Sequence, residues 1–531
     1  MTSSTLSPSA PAPSGLKALA AAMRSWRTAS VALLSFSSGM PLGLVWIAIP
    51  DWLRSEGVDI RTVGLITVAQ APWSFKVLWS PLMDRYAPPW LGRRRGWIAI
   101  AQAALLACTL ALAGVGQHPE APWIVGALAL AVAFASATHD IAYDAYTVDV
   151  LRKEEQGVAA GARLAVYRAA MYVAGGVSIT AAASWGWPLV FAWLAALYLP
   201  MLIVAWKSPE PPDVPAAPRT MAEAVWHPFL GFLGRPRALE ILAFVLLYKL
   251  ADGLAMSLLR PFLVDMGYDA TDRGVALATV GMLAMIGGTI AGGMMTVTLG
   301  LGHSLWLFGF LQIFSNFGYV LVARSDVDRP LMYAATGLDN LASGLGSGAF
   351  AVFLIRLTQK RFSATQYALF SSLFGLTRIL SGPVSGYTVD AIGWEAFFIA
   401  TLFAGIPGLI LLHRFAPLGV REPEMPLERP SAGAAVSRAG LVARGIAGGA
   451  AGFLLGAAGL AALTALKQAR GGRAFELRAG LDVIVAPSGP AEWLQMAGVA
   501  ILALVCGLMT AAVFAARSGG AAGAGAGRPG A

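Results

Sequence analysis

The sequence predicts an all-α polytopic membrane protein, built from two related six-helix halves and two extra C-terminal transmembrane helices. Three observations lead to this fold class. Of the 531 residues, 57% are hydrophobic and 13% are charged, whereas roughly 25% are charged in soluble domains. Apolar runs of about 20 residues, the length that crosses a bilayer, recur along the chain. Two sequence motifs of the first half also return in the second half.

Fourteen apolar runs, bounded by charged or turn-forming residues, predict the transmembrane helices. They fall into groups of six, six and two, because Pro-rich segments interrupt the series twice. The predicted divisions are a disordered cytoplasmic tail at 1–27, a first six-helix half at 28–206, a cytoplasmic linker at 207–237, a second six-helix half at 238–414, a linker at 415–439, two additional helices at 440–516 and a flexible tail at 517–531.

Internal repetition predicts that the two halves are duplicates. The motif L-x3-G-x-D-x4-G starts at Leu53 and again at Leu263, between the first two helices of each half. The motif G-W-x3-F-x8-P starts at Gly186 and again at Gly393, at the sixth helix of each half. Two motifs at nearly the same offset indicate a parallel duplication. This is the architecture of a major-facilitator transporter, whose binding site lies between the halves near the middle of the bilayer.

The charges of the loops predict a cytoplasmic N-terminus. In the first half, the loops on one side of the membrane are rich in Arg and Lys, whereas the opposite loops contain only Arg54 and Arg61. Positive residues collect on the cytoplasmic side of a membrane protein. The net charge of +9 therefore reflects orientation and does not indicate nucleic-acid binding. The loop between the last two helices is itself basic, which leaves their topology open.

A charged element follows the second predicted helix. Asp84 and Arg85 precede Arg93 and Arg94 in DRYAPPWLGRRR, which resembles, with a longer spacing, the D-R-x-G-R-R element of major-facilitator proteins. In that family the element locks the cytoplasmic side by charge pairing, so these four residues are predicted to act in gating. The alternative is that they are solvated orientation charges, which explains the arginines better than it explains Asp84.

Two carboxylates on one helix face are the predicted proton sites. Asp140 and Asp144 are four residues apart in the fourth helix and therefore share a face. Ionisable residues inside a membrane are costly and indicate function. Because like charges repel, one of the two carboxyls is expected to retain a proton near neutral pH, as a proton-coupled symporter requires. The adjacent His139 is either a second proton carrier, a substrate contact or a hydrogen-bonded structural residue.

An excess of intramembrane cations over carboxylates predicts an anionic substrate. Lys249 and Asp252 share a face of the seventh helix, so they either contact the substrate or simply neutralise each other. The predicted substrate-binding residues are Lys76, His139, Arg168, Lys249, Asp252, Arg260, Asp339 and Arg378.

The sequence carries no signature of an enzyme or a metalloprotein. Cys108 and Cys506 both lie in apolar runs, and neither HExxH nor GxSxG occurs. We therefore expect no catalytic residue, no metal site and no cofactor, with transport driven by the proton gradient.

Seven segments of the chain form a recognisable set of motifs. They are WSPLMDRY (79–86), GRRRGW (92–97), HDIAYDAY (139–146), YKLADG (248–253), FSATQYALFSSL (362–373), RILSGPVSGY (378–387) and GWEAFF (393–398). Together they resemble the AmpG-type muropeptide permeases. The resemblance implies a proton symporter of the Gram-negative inner membrane that imports anhydromuropeptides (GlcNAc-anhydroMurNAc and its peptides) from periplasm to cytoplasm for cell-wall recycling. The implied partners are this small glycopeptide, protons and the lipid bilayer, without nucleic acid, and we expect a monomer.

One position departs from the family pattern. Relatives typically have Gln before the Asp-Ile of the fourth helix, where this chain has His139. The same fold carrying another bulky anion, such as an acyl-coenzyme A or a siderophore-like molecule, is therefore an alternative. A transport-inactive receptor or scaffold is a third possibility, for which substitution of Asp140 or Arg168 would leave the cellular role intact.

Overall fold

The computed structural model describes residues 24–58, 71–116, 122–210, 237–423 and 438–470, with isolated positions between 69 and 232 and between 478 and 514. Eleven helices in this part of the chain are long and apolar enough to cross a membrane. The predicted N-terminal tail up to residue 23, the first half of the second helix, parts of both linkers, most of the fourteenth helix and the C-terminal tail lie outside the described residues.

The helices are numbered here in chain order, and the second is described in three short pieces. Their bounds are α1 Trp26–Ser55, α2 Ala71–Phe75, Lys76–Leu78 and Ser80–Arg85, α3 Arg93–Gly114, α4 Pro122–Val150, α5 Gln156–Trp185, α6 Trp187–Lys207, α7 Ala238–Asp265, α8 Thr271–Thr298, α9 Leu301–Arg324, α10 Arg329–Leu357, α11 Ser363–Ile392, α12 Trp394–Phe415 and α13 Arg438–Arg470.

Twelve of these helices are long. The eleven apolar ones are α1, α3 to α10, α12 and α13. Helix α11 has 30 residues, enough to cross a bilayer, but its many Ser, Thr and Gly residues make it less apolar than the others. The predicted order of six, six and two helices is thus followed through α13.

Helix contacts in the first half are repeated in the second. Helix α1 packs on α5 and α3 packs on α4 and α6, while α7 packs on α11 and α9 packs on α10 and α12. The repeated motifs adopt the same turns, because φ is +82° and +83° at Gly57 and Gly267 and +75° and +81° at Gly186 and Gly393. Only glycine adopts this left-handed region at little cost, which explains why both motifs contain it.

The two halves meet mainly through α5 with α8 and through α11 with α2 and α4. Gly157 of α5 and Gly293 of α8 bring two backbones into direct contact. A Cβ added at either glycine would overlap the carbonyl oxygen of the other. Small residues allow helices in a membrane to approach this closely, so the halves are held in contact by backbone packing.

We expect Gly293→Ala to destabilise the contact between α5 and α8. The added methyl group meets backbone atoms that cannot rotate away, and overpacking of this kind costs about 1–3 kcal/mol. The measurement is the thermal unfolding midpoint of the purified protein in detergent. Gly287→Ala in the same helix is the matched control, because a Cβ there meets nothing within 4 Å. Equal midpoints for the two variants would contradict the prediction.

Helix α13 lies outside the two halves. It packs on α11, and only 17% of its apolar 18-residue stretch is buried inside the protein. The guanidinium of Arg444 lies 4.2 Å from the ring centroid of Phe514, a residue of the predicted fourteenth helix. The described part of the fourteenth helix therefore contacts α13, which packs beside the second half, as expected for additions to a twelve-helix core.

Candidate substrate and proton pathway

A buried ion cluster joins the second, third and fourth helices. Arg94 at the start of α3 donates from Nη2 to Asp84 Oδ1 and from Nε to Asp149 Oδ2, both at 2.8 Å. The side chains of Arg94 and Asp84 are 1% and 0% exposed. We call Asp84, Arg93, Arg94 and Asp149 the Asp84 cluster. Burial of this kind contradicts the alternative that Asp84 and Arg94 are solvated orientation charges.

The Asp84 cluster also holds the start of α11 in the other half. Asp84 Oδ2 accepts hydrogen bonds from the backbone N–H and the hydroxyl of Thr365, at 2.8 and 2.7 Å. The N–H of Ala364 donates to Oδ1 at 3.3 Å, and Arg94 donates to Ser363 Oγ at 2.7 Å. The first N–H groups of a helix have no partner within the helix and carry its positive dipole end. The carboxylate of one half is therefore a cap for a helix of the other.

The remaining residues of the predicted gating element differ in position. Arg93 is buried beside this cluster, where its Nη1 donates to the backbone oxygen of Asp84 at 3.4 Å. Arg85 points elsewhere, with its guanidinium 5.4 Å from the ring centroid of Tyr86. The structure thus brings three of the four predicted residues together. Among the described residues, the side chain of Arg85 makes no hydrogen bond or ion pair with the other three.

A second buried ion cluster lies in the membrane-spanning part of the first half. Asp144 of α4 pairs with Lys76 of α2 at 3.4 Å and with Arg163 of α5 at 2.5 Å. We call Lys76, Asp144 and Arg163 the Asp144 cluster. The Arg163 guanidinium lies 4.9 Å from the ring centroid of Tyr143 and 5.8 Å from that of Tyr367 in α11. The cluster therefore faces the second half.

The predicted proton pair is less symmetrical than its spacing suggests. Asp144 is buried and paired with two cations, whereas Asp140 is half-buried and interacts at longer range with Lys76, Asp144 and Arg163. The two carboxylates do share one face, but Lys76 and Arg163 offset their repulsion. Their electrostatic environment is therefore set by four charges from three helices.

His139 is completely buried beside the Asp144 cluster. Its Nδ1 lies 3.1 Å from Ser38 Oγ, and its ring stacks on Tyr143 at a centroid distance of 5.8 Å. The other ring nitrogen, Nε2, has no hydrogen-bond partner among the described residues. In this conformation the geometry favours the structural interpretation of His139 over a direct substrate contact.

The second half contains its own buried ion pair. Lys249 Nζ lies 3.1 Å from Asp252 Oδ2 and donates to the backbone oxygen of Ser343 at 3.0 Å. Ser343 Oγ donates to the same Asp252 oxygen at 2.9 Å. Lys249 and Asp252 therefore neutralise each other in this conformation, as the alternative interpretation predicted. We call Lys249, Asp252 and Ser343 the Lys249 cluster.

Both buried lysines lie where their helix is irregular. Lys76 begins a short 3-10 segment of α2. Lys249 has φ −105° at the joint between Ala238–Leu247 and Leu250–Ser257 of α7. Interrupted helices within a membrane are tolerated where backbone is buried in protein or lines a cavity. The location of both lysines at such irregular points supports the interpretation that they line the interior used for transport.

The other predicted substrate residues are dispersed. Asp339 of α10 is buried and contacts Ser315 and Tyr319 of α9. Arg168 is half-buried in α5, and the side chain of Arg378 lies outside the described part of the structure. Arg260 is exposed and, with Arg273, lines an open cavity of about 550 Å³ between α7 and α8.

Several residues that pair with the predicted charges were not themselves predicted from the sequence. Arg163 was detectable, because it is an arginine in a predicted transmembrane helix, but Arg168 in the same helix was selected instead. Asp149 lies near the end of α4, where an acidic residue can also be a loop charge. Ser363 and Thr365 carry no charge signal at all, and their role follows only from the packing of α11 against α2.

Known proteins resemble this chain along most of its length. The sequence profile of the Major Facilitator Superfamily matches residues 31–334. The anhydromuropeptide permease of Escherichia coli (strain K12) is 42% identical over 388 residues, which cover 73% of this chain and 79% of that protein. The putative transporter AmpG 4 of Rickettsia felis is 28% identical over 400 residues, covering 73% and 96% of the two chains.

Two solved structures share the fold. The proton:xylose symporter XylE superposes with a TM-score of 0.59 at 11% identity, covering 76% of this chain and 98% of XylE. A bacterial homologue of the iron transporter ferroportin in an outward-facing state gives a TM-score of 0.56 at 12% identity, covering 73% and 98%. At these identities the likeness concerns the fold alone, and it confirms the predicted major-facilitator fold.

Proposed function

This chain belongs to the AmpG-type permeases of the major facilitator superfamily, and from this premise we propose that it is a proton-coupled importer of anhydromuropeptides. It is a multi-pass membrane transporter and not an enzyme. We place it in the bacterial inner membrane with a cytoplasmic N-terminus, taking GlcNAc-anhydroMurNAc and its peptides from the periplasm for cell-wall recycling. Identity of 42% with a protein named for this substrate supports the assignment.

The observation that carries the proposal is the Asp144 cluster. Lys76 and Arg163 are cations buried in membrane-spanning helices, and their side chains are 8% and 12% exposed. Buried charges in a membrane are expensive and are expected to serve transport. Arginine and lysine also bind carboxylates strongly in a dry environment, and a muropeptide carries several. Tyr367 of α11 lies beside Arg163, so the cluster borders the contact between the two halves.

Coupling follows from competition for the two cations. While Asp144 is ionised, it occupies Lys76 and Arg163. When a proton from the periplasm neutralises Asp144 or its neighbour Asp140, the cations lose part of their attraction to the protein and are free to bind a substrate carboxylate. Proton and substrate then bind together, which is the requirement for symport.

Gating is assigned to the Asp84 cluster. Asp84 caps α11 across the contact between the halves, so the cytoplasmic ends of α2 and α11 are fastened together in this conformation. Release of substrate to the cytoplasm requires these hydrogen bonds to break. The cluster therefore sets the free energy of the closed cytoplasmic side.

The test is uptake of radiolabelled disaccharide anhydromuropeptide into proteoliposomes, with and without an inward proton gradient. We expect accumulation that depends on the gradient and collapses with a protonophore. Empty liposomes are the control for leakage. If folded protein gives no uptake, muropeptide transport is wrong, and the same assay with an acyl-coenzyme A tests the alternative of another bulky anion.

A further inference from the structure

We propose that Asp339 of α10 is a proton-binding site in the second half, separate from Asp140 and Asp144, and that it controls the Lys249 cluster. The proposal deepens the proton coupling described above and rests on it for its place in the transport cycle. The binding of a proton at Asp339 depends only on residues of the second half.

Asp339 differs from the other buried aspartates in its partners. It is 0% exposed, and its carboxyl contacts two hydroxyl groups, Ser315 Oγ at 2.8 Å from Oδ1 and the Tyr319 hydroxyl at 3.0 Å from Oδ2. In the described part of the chain, no lysine or arginine nitrogen lies within 4.0 Å of it. The buried aspartates that do have such a partner are Asp84, Asp144, Asp149 and Asp272.

The hydrogen-bond geometry around Asp339 fits a protonated carboxyl better than an ionised one. Ser315 Oγ lies 2.8 Å from Asp339 Oδ1 and 3.0 Å from the carbonyl oxygen of Gln312. A hydroxyl has one hydrogen, so it cannot donate to a carbonyl and an ionised carboxylate at once. If Asp339 carries the proton on Oδ1, it donates to Ser315, which donates to Gln312, and both contacts become hydrogen bonds.

The charges that face Asp339 lead to the same protonation state. Helix α7 carries Lys249 and Asp252, and both interact electrostatically with Asp339. Helix α9 presents the hydroxyl of Tyr319, and α8 approaches α10 with the uncharged Val280. With both aspartates ionised, the described residues of this buried region carry two negative charges against one positive charge. One bound proton makes this set of residues neutral, and burial of unpaired charge is strongly unfavourable.

Loss of the proton provides a switch. The proton leaves Asp339 to water on the cytoplasmic side and is replaced from the periplasmic side in the next cycle. Once Asp339 is ionised, the Lys249 ammonium has two carboxylates competing for it, so its pairing with Asp252 weakens. Because Lys249 lies at the joint of α7, proton release at Asp339 is transmitted to the backbone of that helix.

Neighbouring polar groups provide places for water along the path. Both amide atoms of the buried Asn316, next to Ser315, have no hydrogen-bond partner among the described residues. The same holds for Oγ1 of Thr336, one helical turn before Asp339. Buried polar atoms without protein partners commonly bind water, and water linked to Ser315 would carry a proton to or from the carboxyl.

The first test does not require a transport substrate. Infrared difference spectra of the full-length protein in lipid, recorded across a pH titration, report the C=O band of each protonated carboxyl. We expect Asp339→Asn to lose one titrating band and Asp326→Asn, an exposed loop aspartate, to keep it. A spectrum of Asp339→Asn identical to that of the unaltered protein would overturn the proposal.

Ser315→Ala provides an additional test in case Asp339→Asn does not fold. This variant keeps the carboxyl of Asp339 and removes one of its hydroxyl partners. We expect the pH midpoint of the Asp339 band to shift in this variant. An unchanged midpoint would be a second result against the assignment.

The second test places Asp339 in the transport cycle. In proteoliposomes, Asp339→Asn is expected to lose gradient-driven accumulation but to retain exchange of labelled for unlabelled muropeptide, because asparagine mimics the protonated acid permanently. Retained accumulation would remove Asp339 from coupling. If the unaltered protein transports nothing while the infrared band is present, the proposed substrate fails but the proton site stands.

Discussion

Asp144→Asn is expected to abolish proton-driven accumulation of substrate, with exchange between equal concentrations less affected. Asparagine cannot bind or release a proton, and it leaves Lys76 and Arg163 without their carboxylate. Removal of one partner from a buried ion pair typically costs about 3–5 kcal/mol, so we also expect a lower thermal unfolding midpoint. The measurements are uptake in proteoliposomes with and without a proton gradient, and thermal unfolding of the same preparation.

The matched control is Asp326→Asn, which removes the same charge from an exposed loop. It should accumulate substrate normally. Arg163→Ala separates the two roles of the cluster, because it keeps a titratable Asp144 but removes a cation, and it should weaken substrate affinity first. Normal accumulation in a folded Asp144→Asn variant would show that this carboxyl carries no coupled proton.

Asp84→Ala should open the cytoplasmic side of the transporter. The change deprives Arg94 of one carboxylate and removes the acceptor for the first N–H groups of α11. If the closed conformation loses about 3–5 kcal/mol, its population relative to the open one falls on the order of a hundredfold or more. Transport would lose its coupling, because a permanently open cytoplasmic side prevents alternating access.

The opening is measured as a distance between spin labels on the two halves. Trp90 and Lys360 are exposed. Trp90 lies in the turn before α3, and Lys360 begins the short 3-10 helix before α11. Cysteines placed there, with Cys108 and Cys506 replaced, therefore report the separation of those ends. We expect a longer distance in Asp84→Ala. Arg85→Ala is the control, since Arg85 lies next to Asp84 in the chain but outside the cluster. An unchanged distance distribution in Asp84→Ala would contradict the gating role.

The fold was predictable because its causes are local or repetitive. A run of apolar residues long enough for a bilayer predicts a helix without knowledge of its neighbours. The glycines at 57 and 267 are both required by the same turn geometry, which other residues avoid. The duplication can therefore be recognised from the sequence.

The positions of charges were predictable, but their pairing was not. Intramembrane residues such as Asp144 and Lys249 are conspicuous because charge is rare there. Spacing correctly placed Asp140 and Asp144 on one face, yet it could not reveal that Lys76 and Arg163 approach that face. Spacing did permit the pairing of Lys249 with Asp252, because both lie on one helix.

The chain therefore specifies through its composition and repeats that it is a duplicated helical transporter, and where its buried charges lie. For charges on different helices, the tertiary structure alone decides which are neutralised. Asp144 is held by cations of two other helices, Asp84 by the start of a helix in the opposite half, and Asp339 by hydroxyls and no cation among the described residues. The energy of a buried carboxyl depends on the atoms within a few ångströms of it, and those atoms come from distant parts of the sequence.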